Sequence, residues 1–141
     1  MMPAATTILH VEDDPNDTLL FQHACRKAGI IFDLQAVSDG DQAMAYLRGL
    51  NNFSDRNKYP LPKLILLDLK MPRVSGFDVL TWLQSQDGLK RVPVIVLTSS
   101  NHDADVKRAY DLGAKCYLVK PVGFEALVEL VKTLPSFLAQ I

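Results

Sequence analysis

A doubly wound α/β domain is predicted for this chain: a parallel sheet of five strands with helices covering both faces. Two observations predict it. Short, nearly continuous runs of Val, Ile and Leu recur along the sequence, and segments with apolar residues at helical spacing fall between them. Runs that are apolar throughout, rather than at every second residue, belong to strands buried on both faces. Such strands pair in parallel and are joined by right-handed helical crossovers. At 141 residues the chain suits one domain with a substantial core.

The elements follow in order. Residues 8–12, 63–68, 93–98 and 116–119 are clear apolar runs, and 32–37 is a weaker one. A first helix begins near Asn16, where Leu20, Phe21, Ala24, Cys25 and Ala28 form one apolar stripe closed by Gly29. Further helices are predicted over 41–48, 76–86, 103–112 and 124–134, each bounded by Gly, Pro or Asn. The last is expected to break at Pro135, leaving Phe137, Leu138 and Ile141 in an apolar tail that docks on the domain's own helices or on the same face of a second subunit. Residues 49–62 (GLNNFSDRNKYPLP) make a long polar connection, either a functional loop or a tolerated surface insertion. The domain is therefore placed at 7–134, with a tail at 1–6 and an extension at 135–141.

Composition excludes several functions. With 22% charged residues and a net charge of −1, the chain has no basic stripe to neutralise a phosphate backbone, so nucleic acid is not expected as a partner. No apolar run is long enough to span a bilayer and no signal core opens the sequence, so no membrane partner and a cytoplasmic location are expected. The two cysteines, Cys25 and Cys116, are far apart and suit reduced core thiols. His10, His23 and His102 are not spaced as a metal set and read as structural or exposed.

In doubly wound sheets ligands bind beyond the carboxyl ends of the strands. Those ends carry Glu12-Asp13-Asp14, Asp68, Thr98-Ser99-Ser100 and Lys120. Carboxylates gathered from Glu12, Asp13 and Asp68 would repel one another unless a cation sat among them. Magnesium suits oxygen ligands and keeps room for a phosphate oxygen. Asp13 and Asp68 are the expected ligands, with Glu12 acting through water and the Lys70 backbone carbonyl as a further donor. Asp68 is then placed to attack phosphorus, Lys120 to pair with a phosphoryl oxygen and Thr98 to donate a hydrogen bond to another. Pro121 holds Lys120 extended and leaves a cis bond open to it. Asp14 and Asp17 read as helix-capping or solvated acids.

Four linked motifs now matter together: V-E-D-D at 11–14, D-L-K-M-P-x-x-x-G at 68–76, L-T-S at 97–99 and K-P at 120–121. In their order and separation the chain resembles the receiver domain of two-component response regulators, of the single-domain chemotaxis type, over about residues 7–134. The resemblance implies a flavodoxin-like (βα)5 fold with strand order 2-1-3-4-5. It implies Asp68 as phosphoacceptor, magnesium (or manganese) held by Asp13, Asp68 and the Lys70 carbonyl, and a switch formed by Thr98 and Tyr117. An aromatic at position 117 is also what a packed strand residue would look like. Lys70 and Ser100 occupy two positions that tune the site in this family.

A chain ending at Ile141 is expected to carry no output domain, so signalling would run through the surface of the fourth helix, fifth strand and fifth helix. A homodimer through that face and the tail at 135–141 is expected, because an apolar tail needs cover. The phosphodonor implied is a histidine kinase. The 49–62 insertion, the V-E-D-D-P-N-D opening and the tail resemble the small regulators that partner bacterial phytochrome kinases, which implies a phytochrome-type donor. Two alternatives stay open: a receiver-like adaptor that works without phosphorylation, and a magnesium-dependent phosphatase with an aspartyl nucleophile. The phosphatase would want a second acid where Lys70 stands.

Overall fold

Five strands and five helices alternate along the chain in the computed structural model, which describes residues 6–139. They are β1 (Thr6–Val11), α1 (Pro15–Lys27), β2 (Phe32–Val37), α2 (Gly40–Arg48), β3 (Leu64–Leu67), α3 (Gly76–Gln84), β4 (Val94–Thr98), α4 (Asp103–Asp111), β5 (Cys116–Val119) and α5 (Phe124–Ala139), with one 3-10 turn at Asn51–Phe53. All pairings are parallel, and the sheet order is β2-β1-β3-β4-β5. The order reverses direction between β1 and β3, which puts the crevice at their carboxyl ends. Thr6 already belongs to β1, so the ordered domain begins within the expected N-terminal tail.

The apolar runs divide between two faces. Ile8, Leu64, Leu66, Ile95 and Leu97 pack with Phe21, Ala24 and Cys25 of α1 and with Val128, Val131 and Leu134 of α5. Leu9, Val11, Ile65, Leu67, Val94 and Val96 face α2, α3 and α4. Burial on both sides is what makes β3 and β4 read as unbroken aliphatic segments. Each fully buried Leu or Ile contributes about 1.5–3 kcal/mol, so this two-sided core is what holds the strand ends in place.

Helix starts are chemically specified. Asp14 caps α1 by accepting from the Asn16 N–H at 2.9 Å, with Pro15 as the first helical residue. Ser75 and Asp78 form a capping box at α3. Gly76 must be glycine, because a Cβ there would lie 2.3 Å from the Asp68 carbonyl oxygen. That close approach lets the turn after β3 fold back over the strand end, and Gly76 N–H donates to the Leu69 carbonyl at 3.0 Å.

One expectation is corrected. The last helix does not stop at Pro135 but runs through it to Ala139. The ring removes one backbone donor, but Leu134 before it is buried and Phe137 and Leu138 after it pack on the α1–α5 core. The apolar face outweighs the local cost, and these two residues pack on their own domain, one of the two placements the sequence left open. Ile141 lies outside the described residues. The peptide bonds of the described residues are all trans, that between Lys120 and Pro121 included.

The 49–62 insertion is built into the fold. Tyr46, Phe53 and Tyr59 form a cluster with ring centroids 5.1–5.9 Å apart. Arg56 donates to the carbonyls of Tyr46, Leu47 and Tyr59, capping the end of α2, and the Tyr46 hydroxyl donates to the Pro60 carbonyl at 2.7 Å. The segment leads into the amino end of β3, opposite the acidic strand ends, so its position is that of a packed insertion away from the site.

Candidate functional site

Asp68 follows β3, and its backbone N–H donates to the Val11 carbonyl at 3.1 Å, so the β1–β3 ladder sets its position. Its side chain is buried and both oxygens are engaged. Oδ1 accepts the Thr98 hydroxyl at 2.7 Å and the Lys70 N–H at 3.3 Å; Oδ2 accepts Lys120 Nζ at 3.2 Å. Thr98 and Lys120 end adjacent strands and are tied by a Lys120 N–H bond of 2.7 Å to the Thr98 carbonyl.

Lys120 is shared among three acids. Besides Asp68, its Nζ donates to Glu12 Oε1 at 2.5 Å and to Asp17 Oδ2 at 2.8 Å. Burial would lower the lysine's pKa, but hydrogen bonds to Asp17 and Glu12 and the charge of Asp68 outweigh it and raise it, so the ammonium is permanent. Burial pushes the Glu12 carboxyl up to about 7 against the Lys120 hydrogen bond. His10 sits buried against Phe21, centroids 4.7 Å apart, and burial followed by the Lys120 charge pushes it down to about 4. That burial favours the neutral imidazole.

Ligand atoms of Glu12, Asp13 and Asp68 lie within 4.8 Å of one another, with Asp13 exposed and the other two buried. Three carboxylates this close, one of them exposed, offer oxygen ligands of the kind a partly hydrated hard cation takes. The Tyr117 hydroxyl donates to the Ser100 carbonyl at 2.8 Å, which ties its side chain to the β4–α4 connection.

A model of the response regulator receiver domain matches residues 8–132. The chain belongs to the response regulator receiver domain family. Receivers take a phosphoryl group from histidine kinases onto an aspartate and bind a divalent metal in an acidic pocket. The response regulator Rcp1 of Synechocystis is 38% identical over 130 residues, covering 92% of this chain and 86% of Rcp1. A crystal structure of its Mn(2+)-bound form superposes with a TM-score of 0.82, covering 94% of this chain and 93% of that one. The phosphorylated cyanobacterial phytochrome response regulator RcpA is 36% identical with a TM-score of 0.86, over 96% of this chain and 95% of that one. The response regulator RPA3017 of R. palustris, described in red light signaling, is 37% identical with a TM-score of 0.89, over 94% and 92%.

Within this receiver, the structure brings Glu12, Asp13, Asp68, Thr98 and Lys120 together, while the Tyr117 hydroxyl meets the Ser100 carbonyl. Sequence reasoning misses Asp17, which reads as a helix-capping or solvated acid. Asp17 falls on the first turn of α1, where an acid is accounted for by the helix start alone, and only the fold brings it to Lys120. Sequence reasoning also misses Asp105, whose carboxylate accepts Ser100 Oγ at 2.6 Å and lies 3.3 Å from Lys70 Nζ.

Proposed function

We propose that Asp68 is the phosphoacceptor of this receiver and that it is loaded by a histidine kinase in a magnesium-dependent step. The observation that carries this reading is the division of the Asp68 oxygens between Thr98 and Lys120, beside two further acids within 4.8 Å. A carboxylate held this way attacks phosphorus in line. The P–N bond of the donor phosphohistidine breaks, its electron pair returns to the imidazole, and the phosphoryl group becomes a mixed anhydride on Asp68.

The chain's own groups supply positioning and charge. Lys120 is within reach of one phosphoryl oxygen, and the Thr98 hydroxyl turns from Asp68 to another. Asp13, Asp68 and the Lys70 carbonyl would hold the divalent ion, and Glu12, occupied by Lys120, would act on it through water. When bound, the ion neutralises charge that builds on the phosphoryl oxygens. Tyr117 and Thr98 then form the switch that reshapes α4, β5 and α5, a two-state element biased by new charge-assisted hydrogen bonds.

Likeness to RcpA and RPA3017 supports a phytochrome-type kinase as donor. The output is a protein contact, with a second copy as one partner through α4, β5 and α5, where Tyr110 and Val119 are exposed. Sedimentation before and after loading tests the second copy. Incubation with magnesium and acetyl phosphate should add one phosphoryl group by intact mass, and Asp68→Asn should abolish it. Labelling that survives Asp68→Asn overturns the assignment. A panel of histidine kinases tests the donor, and equal transfer from all of them removes the phytochrome preference.

A further inference from the structure

Helix α4 is held differently from its neighbours. Ala109 is its one buried residue, and its other attachments are polar or aromatic. Asp105 accepts Ser100 Oγ and pairs with Lys70 Nζ, Arg108 lies 4.1 Å over the Phe77 ring, and the Tyr110 hydroxyl accepts the Tyr117 N–H at 3.1 Å. Lys70 therefore has two ends in two places. Its backbone N–H reaches Asp68 Oδ1 at 3.3 Å, while its ammonium reaches Asp105 on α4 at 3.3 Å.

A phosphoryl group on Asp68 adds negative charge two residues from the same lysine, whose backbone N–H already meets Asp68 Oδ1. One ammonium then faces two anions. We propose that Asp105 is a positioning residue that holds the Lys70 ammonium on α4, so that attachment of α4 and occupancy of Asp68 compete for one cation. The proposal rests on Asp68 being the phosphoacceptor. By linkage the competition is reciprocal: whatever releases Lys70 from Asp105 strengthens phosphoryl binding, and a phosphoryl group weakens the hold on α4. The Lys70 side chain is 59% exposed and that of Asp105 is 18% exposed, so the coupling is modest and depends on salt.

The probe is beryllofluoride with magnesium, which places a phosphoryl-like group on a carboxylate. Asp105→Asn keeps the side chain's size and its contact to Ser100 but removes the charge. It should bind beryllofluoride about two- to fivefold more tightly than wild type, the range of an exposed ion pair. In a Lys70→Gln background Asp105→Asn should change nothing, and Asp105→Glu should return the affinity toward wild type. Amide resonances of residues 103–111 in free Asp105→Asn should move toward their positions in the beryllofluoride-bound wild type. Unchanged or weaker binding by Asp105→Asn overturns the proposal, as does an equal gain in the Lys70→Gln background, because α4 would then merely be loosened. If Asp68 is not the acceptor, wild type itself fails to bind beryllofluoride and to be labelled by acetyl phosphate, which separates the two failures.

Discussion

Asp13→Asn is expected to make the metal-free protein more stable and the magnesium-loaded protein less stable than wild type. The ligand atoms of Glu12, Asp13 and Asp68 lie within 4.8 Å. Two unit charges at 4.8 Å repel by about 3.5 kcal/mol at an effective dielectric of about 20 and by about 0.9 kcal/mol in water. Asp13 is exposed, so the lower end applies, and Lys120 already offsets part of the charge on the other two. Removing its charge should therefore stabilise the native state by about 1 kcal/mol, or about 4 °C in melting temperature for a domain of this size. Magnesium reverses the order: at about a hundredfold excess over its dissociation constant it stabilises wild type by about 2.7 kcal/mol. The variant, lacking a ligand, should gain little. Urea denaturation followed by circular dichroism, in chelator and in magnesium, measures both. A variant less stable than wild type in chelator, or one that gains as much from magnesium, would refute the reasoning.

Three further outcomes are expected. Arg56→Ala strips the carbonyls of Tyr46, Leu47 and Tyr59 of a shared donor and should cost about 1–3 kcal/mol in urea melts while leaving beryllofluoride binding unchanged. Pro135→Ala restores a helix donor at an exposed position and should stabilise by up to about 3 kcal/mol; destabilisation would mean that the ring itself packs. Burial pushes the Cys25 thiol up from 9.0 to about 11 and the Tyr46 hydroxyl from 10.0 to about 12. Above pH 9 the unfolded chain has released the Cys25 proton and the native chain has not, so the unfolded state binds fewer protons and stability falls as pH rises. The slope approaches about 1.4 kcal/mol per pH unit for each group, and Cys25→Ala should delay its onset from about pH 9 to about pH 10.

Where one physical signal dominates, the sequence was sufficient. β3 and β4 are buried on both faces, so their aliphatic runs left few alternatives, and the acid, hydroxyl and ammonium beyond them followed from strand-end placement. Pro135 shows where local reasoning fails. Ring chemistry argues for a break, but Val131, Leu134, Phe137 and Leu138 continue one apolar face whose burial is a tertiary quantity. The 49–62 segment left two readings open, a functional loop or a surface insertion, because its ties, Arg56 and three aromatic rings, are tertiary contacts.

Asp17 and Asp105 were illegible for a more specific reason. Each is a first-turn helix acid, and stabilisation of helix starts by acids is general enough to account for both. What sets them apart is the cation each meets, and neither partner is near in sequence. Lys120 lies 103 residues from Asp17, and Lys70 reaches Asp105 across a different strand. Together they describe how the site is charged at rest. Lys120 is already divided among Glu12, Asp17 and Asp68, and Lys70 is already engaged by Asp105. New negative charge on Asp68 is then met by redistributing resident ion pairs. Because those pairs are anchored on α1 and α4, redistribution at the strand ends is felt by both helices.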